Sequence, residues 1–256
     1  RYGDITHQSM TTIGATDTRS IKLDKFSISD YKLDFGLQYT YKLNKKNTIN
    51  IGAVYTLGRT LHGDAYKYHQ TGAESNGSIY VQSQTGDTIP NPFKMPHTFG
   101  IGLTYVYDNR LTIGVDYTLQ KWNTADLAWS KFNKESVEMN SRTKIAFGAE
   151  FVPSYISHNY LKRIRYRMGA YYSSPYNKVS YTSPDTGTTS FQDGAREYGV
   201  SIGFGLPMFQ SKSMLNISGQ YIKVSPKFKG LMEENYLRIN IGLTFNERWF
   251  MKWKVD

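Results

Sequence analysis

The chain has 256 residues, a net charge of +10 and a mean hydropathy of −0.52, which suits one barrel or one to two globular domains. No run approaches the roughly 18 apolar residues of a membrane helix, and the absence of cysteine excludes disulfides and thiolate metal sites while leaving the redox compartment open. The positive balance is compatible with nucleic acid, anionic lipid headgroups or a cationic lumen.

Residues 1–30 read as an external loop that can include the end of an incoming strand. The first strong pattern follows at residues 31–43. Leu33, Phe35, Leu37, Tyr39, Tyr41 and Leu43 share one face, and Lys32, Asp34, Gly36, Gln38, Thr40 and Lys42 share the other. A period of two is a strand with unlike surroundings on its faces. A tight turn at 44–47 leads to a second strand, 48–57 and beyond. Residues 58–96 are rich in Gly, Ser, Thr, Asn and Pro and read as a long loop. The third strand, 97–107, turns at 108–110 into the fourth, 111–121. A loop covers 122–139, and the fifth strand is 140–152. A medium connection, 153–161, reaches the sixth, 162–173. Residues 175–194 form another long loop. The seventh strand, 195–206, turns at 207–212 into the eighth, 213–225. A loop at 226–234 precedes the last, 235–246. No stretch carries a helical period, and no composition shift marks a second domain, so residues 1–256 read as one unit.

The faces agree from strand to strand. One side takes Ile49 to Tyr55, Phe99 to Tyr105, Leu111 to Tyr117, Ile145 to Phe151, Ile164 to Ala170, Tyr198 to Phe204 and Leu237 to Phe245, at every second position. None of these is charged. The charges lie on the other side: Lys32, Asp34, Lys42, Asp116, Arg142, Lys144, Glu150, Arg163, Arg165, Arg167 and Arg238. A Lys or Arg facing the mid-bilayer costs roughly 2–4 kcal/mol, so this partition predicts lipid on one side and water or polar protein on the other. A soluble β-sandwich also alternates. Against it stand strands of ten to thirteen residues, long beside the usual five or six or so, and short turns that alternate with long loops. The expected fold is therefore an all-β, transmembrane, antiparallel up-and-down β-barrel of the bacterial outer membrane. Tyr41, Tyr107, Trp122, Trp249 and Trp253 sit at or beyond strand ends and read as interfacial anchors. Trp129 reads as packed within its loop or against a partner. Short turns belong in the periplasm. The first strand then descends and the last ends in the periplasm with the C-terminus. An odd count of nine implies upstream strands, and Arg1-Tyr-Gly-Asp reads as mid-protein.

Three segments resemble the end of Bacteroidetes-type outer-membrane transport proteins of the long-chain fatty acid and toluene transporter family. They are 169–176 (Gly-Ala-Tyr-Tyr-Ser-Ser-Pro-Tyr), 197–207 (Glu-Tyr-Gly-Val-Ser-Ile-Gly-Phe-Gly-Leu-Pro) and 235–250, which ends Leu-Thr-Phe-Asn-Glu-Arg-Trp-Phe. The Pro-rich lead-in and strand pair across 89–122 add to the likeness. That resemblance implies fourteen strands, an N-terminal hatch and passive uptake of hydrophobic small molecules such as long-chain fatty acids. Hatch and gate residues are carried to no position here.

Arg163, Arg165 and Arg167 alternate with apolar residues, with Arg142 and Lys144 on the preceding strand. They read as a cationic stripe on the lumen wall, either attracting an anion or bridging to acids such as Glu150 and Asp116. The recurrent glycines of the charged face read as room for a plug or ligand, or as strand curvature. Gly199-Val-Ser-Ile-Gly203 matches a hydrolase string, but Ser201 lies inside an alternating strand with no helix after it. His62, Asp64 and His69 are a weak metal candidate; His7, His97 and His158 have no evident partners. The sequence carries no catalytic set. The expected role is a porin-like channel for hydrophobic or amphipathic molecules in a Gram-negative outer membrane. The alternative is a structural or interaction barrel that docks a secretion or surface-protein complex. Expected partners are outer-membrane lipid, a hydrophobic small-molecule ligand and a protein at the external loops or periplasmic side. No cofactor, metal or nucleic acid is called for.

Overall fold

A computed structural model describes residues 2–12, 18–75, 78–124, 138–182, 189–208, 213–226 and 232–245. In chain order its strands begin with β1 (Tyr2–Thr12), β2 (Thr18–Ser29), β3 (Asp34–Lys42), β4 (Asn47–Thr56), β5 (Arg59–Thr60) and β6 (Gly63–Ser75). There follow β7 (Ser78–Pro90), β8 (Lys94–Met95), β9 (Thr98–Tyr107), β10 (Leu111–Gln120) and, after a 3-10 turn at Trp122–Thr124, β11 (Arg142–Phe151). A one-turn helix α1 (Tyr160–Arg163) precedes β12 (Arg165–Ser173), and β13 (Lys178–Thr182), β14 (Thr189–Asp193), β15 (Ala195–Pro207), β16 (Met214–Pro226) and β17 (Glu234–Thr244) complete the chain. The chain divides into two compact units, one of Arg1–Asp34, Thr56–His97 and Lys121–Met139, the other of Phe35–Tyr55, Thr98–Gln120 and Asn140–Asp256.

The first unit holds a four-stranded antiparallel sheet in the order β1-β2-β6-β7. Its hairpins fall within residues 1–30 and 58–96, which the sequence pattern presents as loops. Polar residues such as Tyr66, Lys67, His69 and Gln70 follow one another in β6 with no apolar alternation to report a strand. Pairing supplies what periodicity does not: every position of β1 from Tyr2 to Thr12 has a partner on β2. Where the sheet has a core it is small. Ala65 and Ile89 are direct cross-strand partners and both buried, Phe26 pairs with Ala65, and the Phe26 and Phe93 rings meet at 5.5 Å.

The second unit holds a nine-stranded antiparallel sheet in the order β17-β16-β15-β12-β11-β10-β9-β4-β3. These are the nine segments that the alternation marks as strands, with ends shifted by up to three residues. The largest shifts are at the starts of β3, which begins at Asp34, and of β12, which begins at Arg165 because residues 160–163 close into α1. β13 and β14 form a separate hairpin between β12 and β15, again where sequence alone shows a loop. The all-β, antiparallel expectation holds. Closure is not seen: among the described residues β3 and β17 are the two edges of the sheet.

Register keeps the two faces consistent. Leu103 pairs with Val115, Val115 with Phe147, Phe147 with Ala170, Ala170 with Val200 and Val200 with Tyr221. On the opposite face Gly114 pairs with Gly148, Gly148 with Gly169 and Gly169 with Ser201. The apolar face is uncovered: Leu37 is 74% exposed, Ile239 68% and Ile241 73%. The buried hydrophobic residues among those described are only Ala65, Ile89, Val152, Ile164 and Ile222. A sandwich would bury these rows against a second sheet, so the sandwich alternative lacks its dry interior.

The glycines of the polar face make room for long side chains lying flat on the sheet. A Cβ at Gly199 would fall inside the Tyr171 ring, and one at Gly205 would meet Cβ of Arg165 at 3.1 Å. Gly36, Gly148 and Gly242 instead face open space. Gly199→Ala is expected to displace Tyr171 and destabilise the fold by about 1–3 kcal/mol, read as a lower urea midpoint, whereas Gly148→Ala should leave the midpoint nearly unchanged.

Candidate functional site

Among the described residues, the polar face of β11, β12, β15 and β16 carries the densest ionic arrangement. Glu150 sits opposite Arg167 across the β11–β12 ladder. Arg167 Nε donates to Glu150 Oε2 at 2.6 Å, and Arg165 Nη1 donates to Glu150 Oε1 at 3.1 Å. One carboxylate thus accepts from two guanidinia, a charge-assisted geometry stronger than a neutral bond. Arg167 Nη1 also donates to Asn216 Oδ1 at 2.7 Å, carrying the network onto β16. A second group lies nearer the other strand ends. Arg142 Nε donates to Ser173 Oγ at 2.7 Å, and its Nη2 lies 3.7 Å from Glu197 Oε2. The Tyr171 hydroxyl donates to Glu197 Oε1 at 2.5 Å, and Lys144 Nζ stands 4.7 Å from the Tyr171 ring centre.

The expected cationic stripe is therefore split. Arg165 and Arg167 share Glu150, Arg142 and Lys144 gather around Glu197 and Tyr171, and Arg163 ends α1 outside the strand. Four of the five cations thus have partners within the sheet, which favours structural bridging over a bare anion-attracting wall. Asp116, the other acid considered, has no ion pair with them among the described bonds; its Oδ1 lies over Gly102.

The apolar face bears aromatic side chains toward both strand ends. Toward the ends without short turns, Phe35 stacks on Tyr55 at 6.4 Å, Tyr55 meets Phe99 at 5.1 Å, and Tyr172 meets Tyr198 at 5.2 Å. Toward the short turns, Tyr166 and Phe204 meet edge to face at 5.9 Å. Tyr41 and Tyr107 are exposed at this end. Trp122 opens the 3-10 turn after β10, while Trp129, Trp249 and Trp253 lie outside the described residues.

In the first unit Asp30, only 5% exposed at its side chain, is the centre of a polar knot. Its Oδ2 accepts from the His62 backbone N–H at 2.9 Å, its Oδ1 accepts from the Tyr31 N–H at 2.7 Å, and Arg59 Nη2 lies 3.3 Å away. The His62 amide above all, with the Tyr31 amide, the His62 ring and the Arg59 charge, outweighs desolvation and holds the Asp30 carboxyl down at about 2. Among the described residues no three His, Asp or Glu side chains are placed to hold a metal, so His62, Asp64 and His69 are not brought together as ligands. Ser201 lies mid-strand with its hydroxyl 3.5 Å from the Gly169 carbonyl.

The BamG family model matches residues 1–256. The chain belongs to the BamG family. That family is related to the BAM complex, and membership associates the chain with the outer membrane. The match overturns the likeness to fatty acid and hydrophobic-compound transporters. That likeness rests on Gly-alternating strands, tight turns and aromatic strand ends, which membrane barrels of unrelated function share. The uptake channel, its fatty-acid ligand and the porin-like description fall with it. No curated protein matches this BamG-family chain. Among solved structures, one described as the structure of the RagAB peptide transporter matches at 12% identity and TM-score 0.36, covering 89% of this chain and 34% of that one. The chain thus spans about a third of the length of that solved chain.

Two outcomes follow for this BamG-family chain. A double-mutant cycle on Glu150→Ala and Arg167→Ala should give a coupling of about 1–2 kcal/mol in urea unfolding, above an exposed pair because both groups are half-buried and share further bonds. The Asp30 carboxyl is depressed in the fold, so its contribution is complete above the unfolded value near 3.9 or so and is lost as pH falls toward about 2. The urea midpoint of wild type should therefore fall across that window more steeply than that of Asp30→Asn.

Proposed function

We propose that this chain forms part of the wall of an outer-membrane β-barrel and serves as a non-catalytic structural and docking subunit in outer-membrane protein assembly. The match of the BamG family model to residues 1–256 carries this reading. The geometry supports it. An apolar face whose charges, Arg196 and Lys223, lie only near the strand ends away from the short turns, and which aromatic side chains flank, suits acyl chains between two interfaces. A polar face on which Arg142, Arg165 and Arg167 are already bridged to Glu197 and Glu150 suits a stable wall better than a conduit that must bind and release an anion. Hydrocarbon also requires every backbone group to be paired, so a spanning sheet must close. As first and ninth members of an antiparallel series, β3 and β17 run the same way. Closure through antiparallel ladders alone then needs an odd number of further strands. With the short turns on the periplasmic side, β17 runs toward the periplasm.

The experiment is conditional depletion of this chain, with newly made outer-membrane barrels followed by heat-modifiable migration in gels. Slower folding of those barrels, and co-purification of the chain with BAM-complex proteins, are the expected results. Unchanged barrel assembly on depletion would overturn the reading, and so would a purified chain that is monodisperse and fully structured without detergent.

A further inference from the structure

The connection from β11 to β12 is the largest described connection at the short-turn end of the nine-stranded sheet, and it is built rather than loose. Val152 N donates to the Arg110 carbonyl at 2.7 Å, and the Tyr155 hydroxyl donates to the Asn109 carbonyl at 2.5 Å. The Arg110 guanidinium in turn donates to the Pro153 carbonyl. Within the connection, Ser154 N donates to the Lys162 carbonyl at 2.8 Å, and Asn159 caps α1 by accepting from Leu161 N at 3.0 Å. The neighbouring turn joins as well, since Asp108 N donates to the Lys46 carbonyl at 2.6 Å. Three successive connections, residues 44–47, 108–110 and 153–163, are thereby tied into one ledge.

This ledge holds its apolar side chains away from the fold. Ile156 is 92% exposed and Leu161 62%. The three segments carry Lys45, Lys46, Arg110, Lys162 and Arg163, against Asp108 as their single carboxylate. Beside Ile156 lies a cleft of about 510 Å³, lined in part by Asp108, Arg110, Ser154 and Lys162.

Resting on the assembly reading above, we infer that this ledge docks an acidic protein subunit on the same side of the membrane, with Ile156 and Leu161 as its apolar anchors. Charge names the partner: a surface with five cations and one carboxylate is complemented by a net-acidic one. Shape separates protein from lipid. Anionic headgroups are attracted by the same cations, but a fluid headgroup layer has no use for a fixed cleft beside a convex Ile. Protein interfaces are built from such an anchor, an adjoining concavity and a charged rim. Because hydrogen bonds already hold the ledge, little ordering remains to oppose binding.

The test uses the full chain, tagged and purified in mild detergent with its associated BAM-complex proteins, as wild type, as Ile156→Glu/Leu161→Glu and as Lys162→Glu/Arg163→Glu. Heat-modifiable migration identifies variants that still fold. The expected result is a stoichiometric, net-acidic subunit in the wild type that falls about tenfold or more in the first variant, as for central anchors. The charge-reversed variant should lose it too, and raising salt from about 0.05 M to about 0.5 M should release it from the wild type. Equal recovery of the complex with wild type and both variants would overturn the inference and leave the assembly reading standing. Absence of any complex with the wild type would overturn both. Flotation with phosphatidylglycerol–phosphatidylcholine vesicles supplies a further arm. Loss of vesicle binding in the variants with the subunit retained would assign the ledge to lipid and overturn the inference. Conversion of a wild-type dimer to monomer by Ile156→Glu, with the subunit retained, would assign it to a second copy and do the same.

Discussion

The structure depends on the cross-strand register of the nine-stranded sheet. A strand's side chains alternate with a period of two, so a slip of one residue in any pairing would carry that strand's apolar row to the charged face. Here the row from Leu103 through Val115, Phe147 and Ala170 to Val200 stays on one side, while Glu150 and Arg167 meet on the other. A guanidinium on the wrong face would lose Glu150 and gain nothing, and this opposition makes each pairing support the next.

That register also explains how long charged side chains are accommodated. On a pleated surface, neighbouring side chains stand close enough to crowd. Glycine opposite or diagonal to a long residue relieves the crowding: Tyr171 lies across Gly199, and Arg165 lies against Gly205. The side chains then lie along the sheet and reach partners on other strands, as Arg167 of β12 reaches across β15 to Asn216 of β16. The same glycines that read in the sequence as room for a plug or ligand are, at these positions, room for the sheet's own long side chains. Gly36, Gly148 and Gly242 remain open, so the two meanings divide by position.

Membership of the BamG family changes what the architecture is for without changing the architecture. Alternation, girdle aromatics and tight turns are demanded by a strand in lipid whatever the protein does, so a likeness built on them carries fold and carries no ligand. Function is read from groups that the membrane does not explain. On this chain those groups are at the strand ends, where Ile156 and Leu161 stand exposed on a hydrogen-bonded ledge.

Much of this was legible in the chain alone. The alternation located all nine strands of the large sheet and sorted the faces of eight of them, because a period of two is local and every residue in a strand reports it. What the chain alone could not show was where partners come from in distant sequence. The β1–β2 and β6–β7 hairpins read as loops because their polar residues fit either face, and only pairing β2 with β6 across more than thirty residues makes them a sheet. Arg163 reads as part of the arginine row until α1 takes it out of the strand, and Glu150 becomes the shared partner of Arg165 and Arg167 only when β11 and β12 are in register. Local period determined the strands; hydrogen bonds between segments far apart in the chain decided which charges meet and which apolar side chains remain uncovered.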